Sequence, residues 1–430
     1  MMFFLEQLKA DHRAGRRGGA VSICSSHPEV LAAAVCLARD EGLPLLVEAT
    51  AAQVNPQGGY SGMTPAAFSS RLTSLAEGLG LGRNSLVLGA DHLGPYVWRN
   101  RPAAQALDHA AELARQCVAA GFRKLHLDLS AACADDPPSG PDLAATARRT
   151  AILCRAAEEE ASRLPAGTPL PLYVVGSDVP PPGGRAGPLE EIAVTRPEHV
   201  AEFLARVKEE LGRAGLEKAW ERVLAVVVQP GVEFGHAGAL PYRPEKAAAL
   251  SVFHDRLPGI MTYEVHSTDY QPAECLGRLI ADHFLILKVG PCLTDAYREA
   301  LFLLEKIESA LAQRRPGITP SGLRAVLARA MRDHPEHWRD HYRGSEGEVE
   351  ALLLSSRLDR VRYYWARPEV EAACSRLLAN LSPSIPEDLA KEFLACGIEA
   401  FERSPGPLRP AEWIRHRVQQ RLRPYLEACR

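Results

Sequence analysis

The sequence predicts an α/β fold: a closed barrel of eight parallel strands, each followed by a helix, with an all-helical extension behind it. Three observations predict it. Short apolar runs recur up to Val289, each followed by a segment of helical length. The runs are continuous rather than alternating, as strands covered on both faces are. Beyond Arg315 the strand signal stops and helix patterns alone remain. Strand and helix in alternation build a parallel sheet, and eight repeats suffice to close it. An open doubly wound sheet is the competing arrangement, but no GxGxxG turn follows the first strand.

In chain order, residues 1–17 read as a short helix, 18–313 as the barrel and 314–430 as the helical extension. Strands are expected at 20–25, 43–48, 85–89, 124–129, 170–176, 223–228, 259–265 and 284–289. Helices are expected at 27–41, 64–79, 102–120, 141–164, 196–212, 244–256, 272–282 and 294–311. Pro28 sits in the first turn of one, and Thr64 caps another. The Pro/Gly-rich stretch 178–187 is too long for a tight connection and reads as a lid or rim loop, or as an insertion without a role. The extension carries helix patterns at 322–331, 347–354, 368–378, 386–396 and 410–428. Within it, residues 355–365 are dense in arginine and aromatic side chains. Most of these read as solvated cations and rings docked on the barrel; Arg357 and Arg360 stay as phosphate candidates, because guanidinium geometry suits a phosphate.

Composition excludes several classes. A net charge of −3 gives no electrostatic case for nucleic acid or an anionic membrane. The apolar start Met1–Leu5 is too short for a signal-peptide core, and no run approaches a membrane span. The ten cysteines form no CxxC pair and sit in apolar surroundings, as reduced cysteines do, so a cytoplasmic protein is expected.

Chemistry is expected at the C-terminal strand ends. In Gly89-Ala90-Asp91-His92-Leu93-Gly94-Pro95 an acid and an imidazole lie where a strand stops, in a loop made tight by Gly94 and Pro95. Strand alternation places His126 with Asp128, and Glu264 with His266. Glu48, Glu233 and Lys288 end other strands or follow them. Ionisable groups are seldom buried alone, so this ring must pair internally, hold a metal, or do both. Imidazole and carboxylate ligands suit a divalent ion, zinc first, with Mn, Ni, Co or Mg as alternatives. Asp91, beside His92, is placed as an acid or base. Backbone amides around Gly58-Gly59, Ser267-Thr268 and Gly290 are phosphate candidates, with Ser26, Gln53 and Ser61 on the same rim. The absence of a Walker loop counts against ATP-dependent phosphoryl transfer.

These segments carry a family likeness. The run from Glu48 to Pro65, Gly89-Ala-Asp-His-Leu-Gly-Pro, Ala132-Cys-Ala-Asp-Asp-Pro, Val228-Gln-Pro-Gly-Val-Glu-Phe-Gly-His, Tyr263-Glu-Val-His-Ser-Thr-Asp-Tyr-Gln, Leu287-Lys-Val-Gly-Pro and Asp359-Arg-Val-Arg-Tyr-Tyr-Trp resemble the bacterial tagatose-bisphosphate aldolase "Z" subunit family. The resemblance implies a TIM barrel of class II aldolase type and two competing functions. One is a metal-dependent epimerase that interconverts D-tagatose 6-phosphate and D-fructose 6-phosphate. The other is a non-catalytic subunit that supports a class II tagatose-1,6-bisphosphate aldolase in galactitol or N-acetylgalactosamine breakdown. A small-molecule sugar phosphate is the expected ligand, an aldolase chain the alternative partner, and a homo-oligomer is compatible with either. The Asp91-His92 pair resembles the acid and first zinc ligand of class II aldolases, which leaves Glu233 and His266 as the further inferred ligands. Asp91, Asp128 and Glu48 then form the catalytic set, with Lys288 at the oxyanion or the phosphate. Carbon 4 carries a hydrogen that is not next to the carbonyl, so epimerisation there implies retro-aldol cleavage between carbons 3 and 4.

Overall fold

The computed structural model describes residues 4–176, 179–180, 183–185, 187, 189, 192–394 and 407–430. Its centre is a closed barrel. The strands are β1 (Ala20–Cys24), β2 (Leu45–Thr50), β3 (Leu86–Leu93), β4 (Lys124–Asp128), β5 (Leu172–Gly176), β6 (Val223–Val227), β9 (Thr262–Val265) and β10 (Ile286–Val289). They pair side by side in that order, and β10 closes onto β1, all in parallel. Between β6 and β9 a short antiparallel hairpin, β7 (Glu233–Phe234) with β8 (Ala239–Leu240), stands outside the barrel. Its two-residue strands are too short to leave an alternation in the sequence.

One strand differs from expectation in a way that matters. β3 does not stop at Gly89 but runs on to Leu93, so Asp91 and His92 belong to the sheet rather than to a loop. The pairing with β4 shifts between Ala90 and Leu93, and His92 has φ 50. A bulge of this kind re-aims a side chain. By strand parity Asp91 faces inward and its neighbour should face out; the bulge turns His92 back over the rim.

Fifteen helices surround the strands among the described residues. Ahead of β1, α1 (Phe4–Arg13) plugs the N-terminal end of the barrel. Its Leu5 and Leu8 are buried with Leu46, Val87, Leu172, Leu224 and Ile286, and Lys9 Nζ donates to Leu257 O at 2.7 Å. The barrel helices are α2 (Pro28–Asp40), α3 (Pro65–Gly78), α4 (Ala103–Ala119), α5 (Leu143–Ala161), α6 (Pro197–Arg213), the single turn α7 (Glu217–Trp220), α8 (Pro244–Phe253), α9 (Ala273–Ala281) and α10 (Pro291–Arg314). Thr64 caps α3 as its sequence suggests, accepting from the Ala67 amide.

The extension consists of α11 (Leu323–Asp333), α12 (Glu346–Ser355), α13 (Pro368–Asn380), α14 (Glu387–Phe393) and α15 (Pro410–Ala428). The expected helix 386–396 ends at Phe393, and Cys396 lies outside the described residues. Helix α15 returns to the barrel, packing on α2, α9 and α10. The chain end closes the circuit: the Gly18 and Gly19 amides donate to Arg430 O and Cys429 O at 2.7 and 3.0 Å. Of the Pro/Gly-rich stretch 178–187, residues 179, 180, 183–185 and 187 are described and the rest lies outside the described residues.

Candidate active site at the strand ends

The barrel interior is charged. Fully buried Lys124, at the start of β4, lies 2.5 Å from Glu48 Oε1 and 2.6 Å from Glu264 Oε2. Lys288 Nζ reaches Glu48 Oε2 at 2.8 Å and Asp91 Oδ1 at 2.6 Å. Ser22 Oγ donates to Glu48 at 2.5 Å. Three carboxylates (Glu48, Asp91, Glu264) thus face two ammoniums (Lys124, Lys288), leaving one negative charge in excess. Glu48 crosses the barrel over Gly89, where a Cβ would stand 2.6 Å from Glu48 Cγ. A glycine is required there for the carboxylate to reach both lysines.

Above this layer sits a group of ligating side chains. One ligating atom each from Asp91, His126, Glu264 and His266 lies within 4.8 Å of the others, and all four residues are buried. His126 Nδ1 is 2.8 Å from Asp91 Oδ1. The His92 amide also approaches that nitrogen, at 3.2 Å, but has a nearer acceptor in Asp91 Oδ1 at 3.0 Å. The consistent tautomer has Nδ1–H donating to Asp91, which leaves the lone pair on His126 Nε2. That atom is buried and has no hydrogen-bond partner among the described residues. A buried polar atom without a partner calls for one. An imidazole lone pair, fixed by a carboxylate on its other nitrogen, beside two carboxylates and a second imidazole fits a divalent ion.

The electrostatics follow from burial against pairing. Burial works against ionisation of Asp91 and Glu264, but the cations outweigh it: His92 and Lys288 hold Asp91 well below the usual carboxylate range, and Lys124 and Lys288 do so for Glu264. Lys288 is held well above its ordinary value, since Asp91 and Glu48 overcome its burial. Burial pushes His266 down to about 3, so it is a neutral imidazole, the form that ligates.

His92 stands at the edge of this group. Its Nδ1 is 2.8 Å from Asp128 Oδ2, its Nε2 is 3.7 Å from Asp91 Oδ2, and its ring centroid is 5.1 Å from that of His266. Asp128 is steadied in turn by the Ser130 hydroxyl at 2.6 Å. The close approach of the Gly94 backbone allows this pair, because a Cβ at Gly94 would fall 1.7 Å from Asp128 O.

Over the group opens a cavity of about 100 Å³, lined by Asp91, His92, His266, Lys288, Gln53, Ser267, Arg360, Arg362 and Tyr363. The Arg360 guanidinium contacts Tyr363 Oη and His341; Arg362 is held by the carbonyls of Leu358 and Asp359 at 2.5 and 2.9 Å. Burial opposes ionisation of the Tyr363 phenol, but the two guanidiniums bring its pKa below the usual tyrosine value.

The structure therefore gathers Asp91, His92, His266, Lys288, Gln53, Ser267, Gly290 and Arg360 around one cavity, with Asp128 behind His92 and Glu48 beneath Lys288. Other expected residues stand elsewhere. Glu233, on β7, lines a different cavity with Ser130, Arg185 and Thr195, and is outside the four-residue ligating group. Burial pushes its carboxyl up to about 7. Gly290 offers no free amide, since its N–H donates to Asp269 Oδ1 at 3.1 Å. Thr268 is turned to structure, its Oγ1 donating to Lys288 O at 2.5 Å. Ser26 and Ser61 line a neighbouring chamber, and Gly59 packs tightly on the Gln53 carbonyl. Arg357 is exposed, with its guanidinium over the Tyr270 ring. Lys124 and Arg362 escaped the sequence reading. Lys124 shares the parity of His126 and Asp128, which was the available signal; Arg362 lay inside the arginine-rich run without a mark to separate it.

The family model for D-tagatose-1,6-bisphosphate aldolase subunit GatZ/KbaZ-like proteins matches residues 5–430. The crystal structure of a probable tagatose 6 phosphate kinase from Sinorhizobium meliloti 1021 is 38% identical, covering 96% of this chain and 100% of that one, with a TM-score of 0.85. A fructose-bisphosphate aldolase from Campylobacter jejuni is 13% identical over 91% of this chain and 93% of its own, with a TM-score of 0.45. By the whole-length match of its sequence, the chain belongs to the GatZ/KbaZ-like family.

Proposed function

We propose that this chain is a metal-dependent ketose-phosphate 4-epimerase, interconverting D-tagatose 6-phosphate and D-fructose 6-phosphate. The observation that carries the reading is the buried group Asp91, His126, Glu264 and His266, with His126 Nε2 lacking a partner among the described residues, beside a cavity that two arginines also line. A scaffold with only a supporting role gains nothing from that arrangement, and buried ionisable groups are costly to keep.

On this reading those four residues hold a divalent ion, zinc first among the options, in place of the set His92, Glu233 and His266 expected from sequence. Bound there, the ion would polarise the ketose carbonyl and its neighbouring hydroxyl. The chain's own groups do the rest. His92, oriented by Asp128, faces the cavity and, in its neutral form, takes the proton of the carbon-4 hydroxyl. Loss of that proton drives cleavage between carbons 3 and 4. The electron pair passes into an enediolate, whose charge the Lys288 ammonium meets. Arg360, with Arg362 beside it, holds the phosphate at the far end of the substrate. Return of the pair to the other face of the aldehyde, with the proton restored, gives the epimer.

The test uses the purified chain alone with fructose 6-phosphate. Tagatose 6-phosphate should form, chelator should stop it, and added divalent metal should restore it. His126→Ala should lower the rate by more than about 100-fold. The second reading, a subunit that supports a separate tagatose-bisphosphate aldolase, is favoured by the description of the matching family. It predicts no conversion with any divalent metal, and gain of aldolase activity only when an aldolase chain is added.

A further inference from the structure

Beside the cavity at the strand ends lies a second and larger one. Its volume is about 450 Å³ against about 100 Å³, which places it within the roughly 300–1,000 Å³ typical of small-molecule sites. The two share walls: Gln53, Tyr60, Gly290 and Arg362 line both. The outer chamber extends between the start of α2, the loop after β2, and α13 and α15 of the extension. Part of its wall is aromatic. His27 packs on Tyr297 at 4.2 Å, and Tyr297 meets Trp365 edge-on at 5.0 Å between ring centroids. Polar side chains complete the lining, among them Ser26, Gln53, Ser61 and Arg362, which suits a small polar guest.

We propose that this chamber is a second subsite, which receives the three-carbon aldehyde phosphate between cleavage and re-formation of the carbon–carbon bond. The proposal rests on the epimerase reading and deepens it. When the carbon-4 hydroxyl loses its proton to the base, the bond between carbons 3 and 4 breaks. Its electron pair stays on the dihydroxyacetone half as the enediolate, and carbon 4 becomes an aldehyde. Inversion requires that aldehyde to present its opposite face before the same pair returns and the proton goes back to oxygen 4. No oxidant or co-reactant enters. The inner cavity is the smaller of the two, and the outer chamber adjoins it through shared walls. Arg362 stands where the two cavities meet, so its guanidinium keeps hold of the phosphate while the aldehyde end swings outward and back.

The test fills the chamber and leaves the inner group untouched. Ser375, on α13, is exposed at the chamber wall and takes no part in the chemistry described above. In metal-loaded Ser375→Trp, formation of fructose 6-phosphate from tagatose 6-phosphate should fall tenfold or more. Cleavage, read as released glyceraldehyde 3-phosphate through a coupled dehydrogenase, should change less than twofold, which also reports a folded site. Ser375→Ala should retain both. Calorimetric titration of glycerol 3-phosphate into the unsubstituted chain should show binding that Ser375→Trp weakens tenfold. Unchanged epimerisation in Ser375→Trp, or equal loss of epimerisation and cleavage, would overturn the subsite while sparing the epimerase. An unsubstituted chain that does neither reaction would remove the epimerase reading and the subsite with it.

Discussion

At the scale of single residues, the least expected feature is Lys124, fully buried between two carboxylates. Taking charges from water is costly, and removing one partner of a buried pair leaves the other uncompensated. Lys124→Met should therefore destabilise the chain by about 3–5 kcal/mol, read from urea unfolding. Adding Glu264→Gln should recover part of that stability, since it removes the stranded charge, without recovering activity. A variant as stable as the parent would mean that the interior carboxylates share a proton instead. The same residues mark how far the site was legible. Parity in β4 and β9 pointed inward at His126, Asp128, Glu264 and His266, because alternation is a property of the strand alone. The group that could hold a metal needed more. His92 rather than His126 stood beside Asp91 in sequence, and only the bulge in β3, with His92 at φ 50, separates their roles in space. Arg362 and Arg360 likewise look alike in sequence; what distinguishes them is which cavities each lines.

At the scale of elements, helix α1 is bound to the barrel floor by imidazoles. His12 Nε2 is 2.9 Å from His283 Nδ1, the His283 ring stacks on His254 at 4.8 Å, and His254 Nε2 is 3.1 Å from Thr262 Oγ1. Lys9 and Arg13 of α1 and Asp255 stand close by. Burial first, and then His283 and Lys9, push His254 down to about 3, and burial likewise lowers His12. The sign follows directly. A base whose folded pKa is depressed stays neutral in the fold, while the unfolded chain takes up a proton near pH 6.5, so stability is lost as pH falls from there towards 3. His254 alone should make the fold about 2 kcal/mol less stable at pH 5 than well above pH 6.5. Chemical unfolding at pH 7 and pH 5 checks it: His254→Gln should start less stable at pH 7 and lose less on acidification. Equal losses in parent and variant would mean that the fold does not lower the proton affinity of this imidazole. The expected boundaries of α1, 1–17, gave no hint of this, because His12 and His283 lie far apart in the chain and meet only when the barrel closes.

At the scale of the whole molecule, the extension was legible as helices but not as part of the barrel's construction. Helix periodicity reports which face is apolar, not what covers it. The buried face of α15, with Trp413, Ile414, Val418, Leu422 and Tyr425, joins one continuous hydrophobic cluster with the outer faces of the barrel strands and helices. Its polar contacts reach the site itself. Tyr425 Oη donates to Thr268 O at 2.7 Å, and Thr268 Oγ1 donates to the Lys288 carbonyl at 2.5 Å, which ties the last helix to the strand that presents Lys288. The final residues also accept from the Gly18 and Gly19 amides ahead of β1. A chain ending at Leu408 loses all of this together: a buried Trp and Tyr, at about 3–5 kcal/mol for a deleted core aromatic, and acceptors for two amides beside the first strand. That sum is comparable to the total stability of a typical domain. The shortened chain should therefore show no cooperative thermal transition and no epimerisation. A shortened chain that melts cooperatively at a temperature near the parent's would instead make residues 409–430 an accessory to a barrel that stands by itself, and would require the link from Tyr425 to Lys288 to be dispensable for chemistry as well.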